Sequence, residues 1–169
     1  MTAHLHTERL VLRAWLPEDR EPFAELNADP AVTEHLPGRT SRVQSDELAD
    51  RIATHFAVHG YGFWAVEGEG RFAGFAGVQW SDVTGERALE VGWRLARWAW
   101  GRGWATEAAV AALDVGLRQA PEVVSFTAVT NVRSIAVMER LGMRRVREFD
   151  HPRPDLPDRL RRHVLYVTP

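Results

Sequence analysis

The chain has 169 residues, of which 45% are hydrophobic and 26% charged, a composition typical of one globular domain with a buried core. Its 21 arginines and 23 acidic residues, with no lysine, give a net charge of -2, which offers no bulk positive field for nucleic acid or an anionic membrane. The absence of cysteine excludes disulfides, zinc–thiolate sites, iron–sulfur clusters and a cysteine acyl-enzyme.

No targeting or membrane segment is expected. The N-terminus lacks an apolar signal-peptide core. The longest apolar stretch, near residues 108–115, is interrupted by Asp114 and is too short to cross a bilayer. No composition break or repeat divides the sequence. We therefore expect one cytoplasmic domain over residues 1–169, with no nucleic-acid or membrane partner.

The first third of the chain predicts one strand and two helices. Alternating hydrophobic residues predict a strand at Leu10–Ala14. Pro17, followed by two acidic residues, favours the start of a helix that ends near Ala28. Ser45 is expected to cap a second helix, and Gly60 and Gly62 bracket the end of that helix.

From residue 63 onward the pattern changes to that of strands separated by helices. The predicted elements are strands at Phe63–Val66 and Phe72–Trp80 around a hairpin turn at 68–70, a strand at Leu89–Leu95, a helix at Ala105–Arg118, a strand at Val123–Val129, a helix at Ser134–Leu141, and closing strands at Arg144–Phe149 and His163–Val167 around an irregular loop at 151–157. This order predicts an α/β (α+β) fold, with one mixed sheet and helices on its faces. Residues 89–129 should form a right-handed crossover between parallel strands.

A glycine-bearing loop, Gly101-Arg-Gly-Trp-Ala-Thr106, lies between a predicted strand and a predicted helix. Glycines let the backbone approach an anion closely, and the free N–H groups at a helix start can bind it. A Walker A loop is excluded because Trp104, not Lys, follows Gly103. The sequence of residues 68–73 matches the glycine pattern of a dinucleotide-binding fingerprint. This match is rejected, because the segment lies between two predicted strands and no helix follows it to supply a dipole. The loop alone leaves an anion site and a tight turn equally open.

The string Trp-Gly-Arg-Gly-Trp-Ala-Thr-Glu-Ala at residues 100–108 resembles the acyl-CoA-binding signature of the GNAT acyltransferase superfamily. It is most similar to the RimJ/RimL-like branch of ribosomal-protein alanine N-acetyltransferases. Segments 7–13, 89–95 and 131–143 resemble that branch's first strand, fourth strand and Asn-x-x-Ser helix, in the same order. The resemblance implies a mostly antiparallel sheet of about seven strands with a splayed parallel central pair.

The resemblance also implies acetyl-CoA as co-substrate, bound between strands 89–95 and 123–129. Its pantetheine arm should pair with backbone groups of Trp93 and Leu95, and its pyrophosphate with N–H groups of the glycine loop. The implied cofactor-binding residues are Trp93, Leu95, Trp100, Arg102, Gly103, Ala105, Thr106, Asn131 and Ser134. For Arg102, a solvated loop arginine is an equal alternative.

Acetylation of an amine needs a base, because an alkylammonium has a pKa of about 10.4. Glu90 is the candidate, since it shares a strand face with Gly92 and Arg94 and partial burial would raise its pKa. The alternative is a glutamate paired to a neighbouring arginine, and ordered water could relay the proton. Ser134 is the candidate proton donor to the thiolate, or else an ordinary helix-start residue. Met138 stands where many GNAT enzymes have a tyrosine acid.

The sequence describes the donor side better than the acceptor side. Phe63, Trp64 and Trp80 are candidates to line an acceptor pocket, although most aromatic residues serve the core. His55 and His59 have metal-ligand spacing but no third ligand, so no metal is expected. We expect direct acetyl transfer, without an acyl-enzyme, to a primary amine on a protein N-terminus or a small molecule. A non-catalytic acyl-CoA sensor and a plain interaction domain are the alternatives, and a homodimer is left open.

Overall fold

The computed structural model describes residues 4–37 and 40–169, in which eight strands and five α-helices are found. The strands are β1 (Leu5–His6), β2 (Leu10–Arg13), β3 (Phe63–Gly68), β4 (Arg71–Ser81), β5 (Ala88–Leu95), β6 (Val123–Ala128), β7 (Arg144–Asp150) and β8 (Arg162–Val167). The helices are α1 (Arg20–Ala28), α2 (Arg42–His59), α3 (Trp104–Gly116), α4 (Val132–Arg140) and α5 (Asp158–Arg161).

All described strands join one sheet, in the order β1-β2-β3-β4-β5-β6-β8-β7. Neighbouring strands are antiparallel except β5 and β6, which pair in parallel at Leu89–Val123 and Glu90–Val124. The predicted mixed sheet with a splayed parallel pair is therefore confirmed. The eighth strand is β1, a two-residue strand that pairs with β2 and is too short to give a hydrophobic pattern.

Helices cover both faces of the sheet, as predicted. On one face, α3 approaches so closely that a Cβ at Gly116 would lie 3.0 Å from Val78 and 3.2 Å from Val123. On the opposite face, Phe23 of α1 contacts the ring of Phe75 edge-on, with centroids 6.0 Å apart. The core is thus divided by the sheet, and most of its buried residues are aliphatic or aromatic.

The hairpin between β3 and β4 has the predicted turn. Glu69 and Gly70 both have positive φ angles, 54° and 73°. Such a two-residue turn matches the right-handed twist of the flanking strands. The hairpin pairs β4 with β3, and the other edge of β4 pairs with β5, whose residues carry most of the candidate site.

The predicted N-cap of α2 was wrong by one turn. The helix begins after Ser41, whose Oγ accepts a hydrogen bond from the Gln44 N–H at 3.2 Å. The Gln44 side chain in turn accepts from the Ser41 N–H at 2.9 Å, which completes a capping box. Ser45 lies inside the helix, fully buried, where its hydroxyl accepts from Asn27 Nδ2.

Candidate active site

A cleft opens where β5 and β6 separate beyond their two paired residues. Its volume is about 980 Å³. The cleft extends from α2 and β3 across β5 to β6 and α4. Its lining includes a carboxylate, a guanidinium, two hydroxyls and an amide, contributed by Glu90, Arg94, Ser125, Ser134 and Asn131.

Glu90 lies partly buried on the cleft face of β5. Burial raises the pKa of its carboxyl to about 7, although hydrogen bonds from the Gln79 and Ser81 side chains act in the opposite direction. Gln79 pairs with Glu90 across the β4–β5 ladder, so the two side chains share a face. Within the described residues no arginine forms an ion pair with Glu90, which disfavours the alternative of a paired glutamate. A carboxyl with this pKa can accept a proton near neutral pH.

Sequence reasoning missed Gln79 and Ser81, because cross-strand partners depend on a register that one strand does not reveal. It also placed Arg94 on the right face without giving it a role. Arg94 lines the cleft, and its Nη1 donates to Asn27 Oδ1 at 2.7 Å. Arg94 lies two residues after Gly92 and four after Glu90 on the same strand, and this spacing was the signal in the sequence that places it on the cleft face.

The glycine loop has the backbone that an anion site requires. Gly101 and Gly103 have φ angles of 73° and 76°, a left-handed conformation that favours glycine. Gly103 is the N-cap of α3, and no side chain caps the helix. The first N–H groups of α3, at Trp104, Ala105 and Thr106, therefore lack intrahelical acceptors. Because the loop is exposed, these donors and the helix dipole can receive a diphosphate.

The side chain of Arg102, which was predicted to contact the pyrophosphate, already has partners in the protein. Its guanidinium forms an ion pair with Glu69 at 2.7 Å and lies 4.9 Å from the centroid of the Trp104 ring. Arg102 and Glu69 are both largely exposed, so this pair stabilises the protein little. Any diphosphate at the loop would depend mainly on backbone N–H groups.

Glu107 connects the start of α3 to the turn between β1 and β2. It accepts hydrogen bonds from the Thr7 hydroxyl, the Arg9 N–H and the Arg9 guanidinium, at 2.6, 2.8 and 2.7 Å. Burial opposes ionisation, but these donors hold the pKa of Glu107 below its ordinary value. Arg9 also donates to the carbonyl of Arg102 at 2.7 Å. One carboxylate thus orients the arginine that fixes the glycine loop.

Trp93, Leu95 and Trp100 lie where β5 leads into the loop. Trp93 is partly exposed and lines the cleft. The Leu95 carbonyl accepts a hydrogen bond from Trp100 Nε1 at 2.9 Å. The guanidinium of Arg133, on α4, lies 4.4 Å from the centroid of the Trp100 ring. Trp100 therefore bridges the end of β5 and α4 at the open end of the cleft.

Asn131 and Ser134 form one hydrogen-bonded unit at the start of α4. Asn131 is the N-cap, and its Oδ1 accepts from the Ser134 N–H at 3.4 Å. Its Nδ2 donates to Thr127 Oγ1 at 2.9 Å and to Ser134 Oγ at 3.1 Å. Because Ser134 Oγ acts as acceptor there, its own proton is available for donation toward the cleft.

Of the three aromatic residues predicted for the acceptor pocket, only Phe63 lines the cleft. Trp64 follows it on β3 and faces the other side of the sheet, where it is 1% exposed and packs against Phe56. Trp80 pairs with Leu89, so it lies on the face opposite to Glu90, and its Nε1 donates to the Tyr61 hydroxyl. The assignment of Trp64 and Trp80 to the pocket was wrong: Trp64 alternates with Phe63 on β3, and Trp80 pairs with Leu89 on the face opposite to Glu90.

Metal ligands and membrane spans are both missing from the described part of the chain. No group of three or more histidine, cysteine or acidic side chains is arranged to hold a metal ion within residues 4–37 and 40–169. Over the same ranges, no helix has the length and apolarity needed to cross a membrane.

The geometry agrees with the family comparison. Residues 9–144 match the model of the acetyltransferase (GNAT) domain. The chain therefore belongs to the GNAT acetyltransferase family and is an N-acetyltransferase, as its motifs indicated.

The similar proteins cover the chain almost completely. The uncharacterized protein YkkB of Bacillus subtilis (strain 168) is 31% identical over 158 residues, which cover 88% of this chain and 91% of YkkB. The acetyltransferase from Agrobacterium tumefaciens str. C58 is 25% identical, with a TM-score of 0.83 over 100% of this chain and 95% of that one. RimL, a ribosomal L7/L12 alpha-N-protein acetyltransferase solved in complex with coenzyme A, shares the fold at 16% identity, with a TM-score of 0.79 over 98% and 97%.

Proposed function

We propose that this acetyltransferase moves an acetyl group from acetyl-CoA to a primary amine by direct attack in a ternary complex. The observation that carries the proposal is the cleft-facing Glu90 on β5, the strand that leads through a short turn into the glycine loop. One strand and the loop that follows it therefore carry both the proton acceptor, Glu90, and the proposed anion site at the glycine loop. When bound, acetyl-CoA would supply a thioester carbonyl activated toward amines.

Each predicted donor-site residue has a defined part in this proposal. The N–H groups of Arg102, Gly103, Ala105 and Thr106 would bind the pyrophosphate, aided by the helix dipole, which is worth roughly 0.3–1 kcal/mol. Backbone groups of β5 at Trp93 and Leu95 would hold the pantetheine arm. Trp100 and Asn131 would line the path of the pantetheine arm at the open end of the cleft.

The proton transfers balance with two side chains. Glu90 takes a proton from the incoming ammonium, directly or through water, and leaves a neutral amine. The amine nitrogen forms a bond to the acetyl carbon while the carbon–sulfur bond breaks. The Ser134 hydroxyl then donates a proton to the departing sulfur, and the second proton that the nitrogen loses on becoming an amide passes through water to restore that hydroxyl. No covalent acyl-enzyme is required, which fits the absence of cysteine.

The acceptor is a protein N-terminus or a small-molecule amine. RimL's description as an alpha-N-protein acetyltransferase makes an N-terminus one candidate. The size of the cleft, about 980 Å³, also suits a small molecule. A cytoplasmic location and a homodimer stay predictions.

The test measures turnover of acetyl-CoA with a panel of primary amines and short peptides. Release of the CoA thiol gives the rate, and mass spectrometry identifies the acetylated product. Glu90→Gln should lower kcat by about 100-fold, because a general base contributes at least that much, while leaving the Kd for acetyl-CoA unchanged. Glu18→Gln, at an exposed carboxyl, is the control. An acyl-CoA sensor would show no turnover in either protein, and CoA release before amine binding would contradict direct transfer.

Ser134 is tested in the same assay with two variants. Ser134→Ala should lower kcat on the order of 10-fold, since a thiolate leaves even when its protonation is incomplete. Ser134→Thr keeps a hydroxyl and should retain most of the activity. Equal rates for the two variants would exclude Ser134 as the proton donor.

A further inference from the structure

Arg94 is a cation in the cleft, and the described part of the chain gives it no acidic partner. Its Nη1 donates to the neutral Asn27 amide, and its guanidinium lies 5.3 Å from the centroid of the Phe75 ring. Within residues 4–37 and 40–169, no carboxylate oxygen lies within ion-pair distance of it. Burial lowers the pKa of Arg94 to about 10, so the side chain stays charged at neutral pH.

Two other arginines show the usual arrangement in this protein. Arg13, partly buried between β2 and β3, pairs with both Asp19 and Glu67. Arg153, which borders the same cleft as Arg94, pairs with Asp155 at 2.6 Å. A desolvated cation without such a partner costs free energy. The arrangement of Arg94 is therefore that of a site which receives its anion from a ligand.

The guanidinium is held in place by a buried hydrogen-bond chain. Asn27 is fully buried, and its Nδ2 donates to Ser45 Oγ at 3.0 Å, which leaves Oδ1 to accept from Arg94. This contact uses one of the five N–H groups of the guanidinium. The remaining donors keep the planar fork that matches a carboxylate.

The Phe63 ring covers Gly92, which lies between Arg94 and Glu90 on β5. Both residues lie on one face of β5, about 13 Å apart along the strand, and Gly92 between them has no side chain. A Cβ at Gly92 would lie 3.4 Å from the Phe63 ring and 3.6 Å from Glu90 Oε1. An acceptor that reaches both charged groups would therefore lie across the Phe63 ring, which lines the cleft between them.

We propose that the acceptor is an amine that also carries a carboxylate, with its amine at Glu90 and its carboxylate on the Arg94 guanidinium. This inference rests on the proposed acetyl transfer and names its substrate class. Arg94 would be the specificity residue. Amines without an anionic group would leave the cation unpaired in the occupied cleft and would react poorly.

The test uses linear amino acids of two to eight carbons, each with its own carboxamide, and measures kcat/KM with saturating acetyl-CoA. The wild-type enzyme should prefer at least one acid over its amide by about 10- to 100-fold, the strength of hydrogen bonds to a charged group. Arg94→Met should remove this preference by lowering kcat/KM for the acid, with that for the amide and the Kd for acetyl-CoA unchanged. Arg94→Lys keeps the charge but not the planar fork, so its preference for the acid should lie between those of the wild type and Arg94→Met. Arg118→Gln, at an exposed arginine, is the control.

The outcomes separate the two proposals. If neutral amines or amides react as fast as the acids, or if Arg94→Met keeps the preference, the Arg94 inference is overturned while acetyl transfer stands. If no amine of either kind is acetylated, the proposed function fails and this inference with it. The wild-type ratio of acid to amide is decisive even if Arg94→Met does not fold.

Discussion

Glu90 combines partial burial on β5 with hydrogen bonds from Gln79 and Ser81, and the balance holds its pKa at about 7. A carboxyl with an ordinary pKa would be too weak a base, and one raised much further would stay protonated at neutral pH. The rate of the free enzyme should therefore rise with pH through about 7 as Glu90 loses its proton.

The contribution of Glu90 to stability should fall as pH rises from about 4.5 to 7. Across that window the folded protein holds a proton on Glu90 that the unfolded chain has released, so raising the pH favours unfolding. Glu90→Gln removes this penalty, and the variant should gain up to about 3 kcal/mol over the wild type between pH 4.5 and pH 8. Urea unfolding of both proteins at pH 4.5, 6 and 8 measures the difference, with Glu18→Gln as the control for loss of charge. A difference that is the same at all three pH values would contradict the raised pKa.

At the level of single residues, alternation predicted the face of Glu90 but not its surroundings. The same rule, applied across β3, is enough to separate Phe63 from Trp64 on sequence alone. Trp80 is a different case, because its face follows from the pairing of β4 with β5. The unpaired state of Arg94 depends on every element packed around it, and no local pattern contains that information.

Among the elements, α3 and its glycine loop depend on a contact distant in sequence. Glu107 accepts from Thr7 and Arg9, and Arg9 in turn holds the Arg102 carbonyl. The turn between β1 and β2 therefore fixes the conformation of the loop. The signature string from 100 to 108 includes this glutamate, but its letters do not reveal the partner.

Glu107→Gln should weaken CoA binding without touching the chemistry. Loss of the charge breaks the ion pair with Arg9, and the Arg102 carbonyl then loses a fixed donor. We expect the Kd for CoA, measured by calorimetry, to rise by about 3- to 10-fold, which corresponds to roughly 0.7–1.4 kcal/mol. The pH dependence of the rate, set by Glu90, should not move. Glu122→Gln, at an exposed carboxyl, is the matched control, and an unchanged Kd in Glu107→Gln would show that the loop holds its shape alone.

Element boundaries were predicted best where a residue has one conformational role. Gly60 ends α2 with a φ angle of 74°, as expected for a left-handed C-cap. The start of α2 was missed because two serines stand four residues apart, and the capping box of Ser41 with Gln44 decides between them. The single-turn helix α5 and the two-residue β1 are too short for any periodic signal.

At the scale of the whole molecule, the order of elements was enough to predict a mixed sheet with one parallel crossover. The point at which β5 and β6 separate was not predictable, because it depends on packing across the sheet. The structure shows only two parallel residue pairs before the strands diverge. That divergence brings Glu90, Arg94, Asn131 and Ser134 to one cleft, although 44 positions separate Glu90 from Ser134.

The most direct test of the account follows the backbone amides of the glycine loop by ¹⁵N–¹H NMR during titration with CoA, and in parallel with pantetheine, which lacks the pyrophosphate. Amide signals of residues 102–106 should shift and saturate with CoA, while pantetheine should leave them unmoved and perturb only the β5 signals near Trp93. If saturating CoA leaves the amides of residues 102–106 where they were, the unpaired N–H groups at the start of α3 do not bind the donor, and the assignment of the site is wrong.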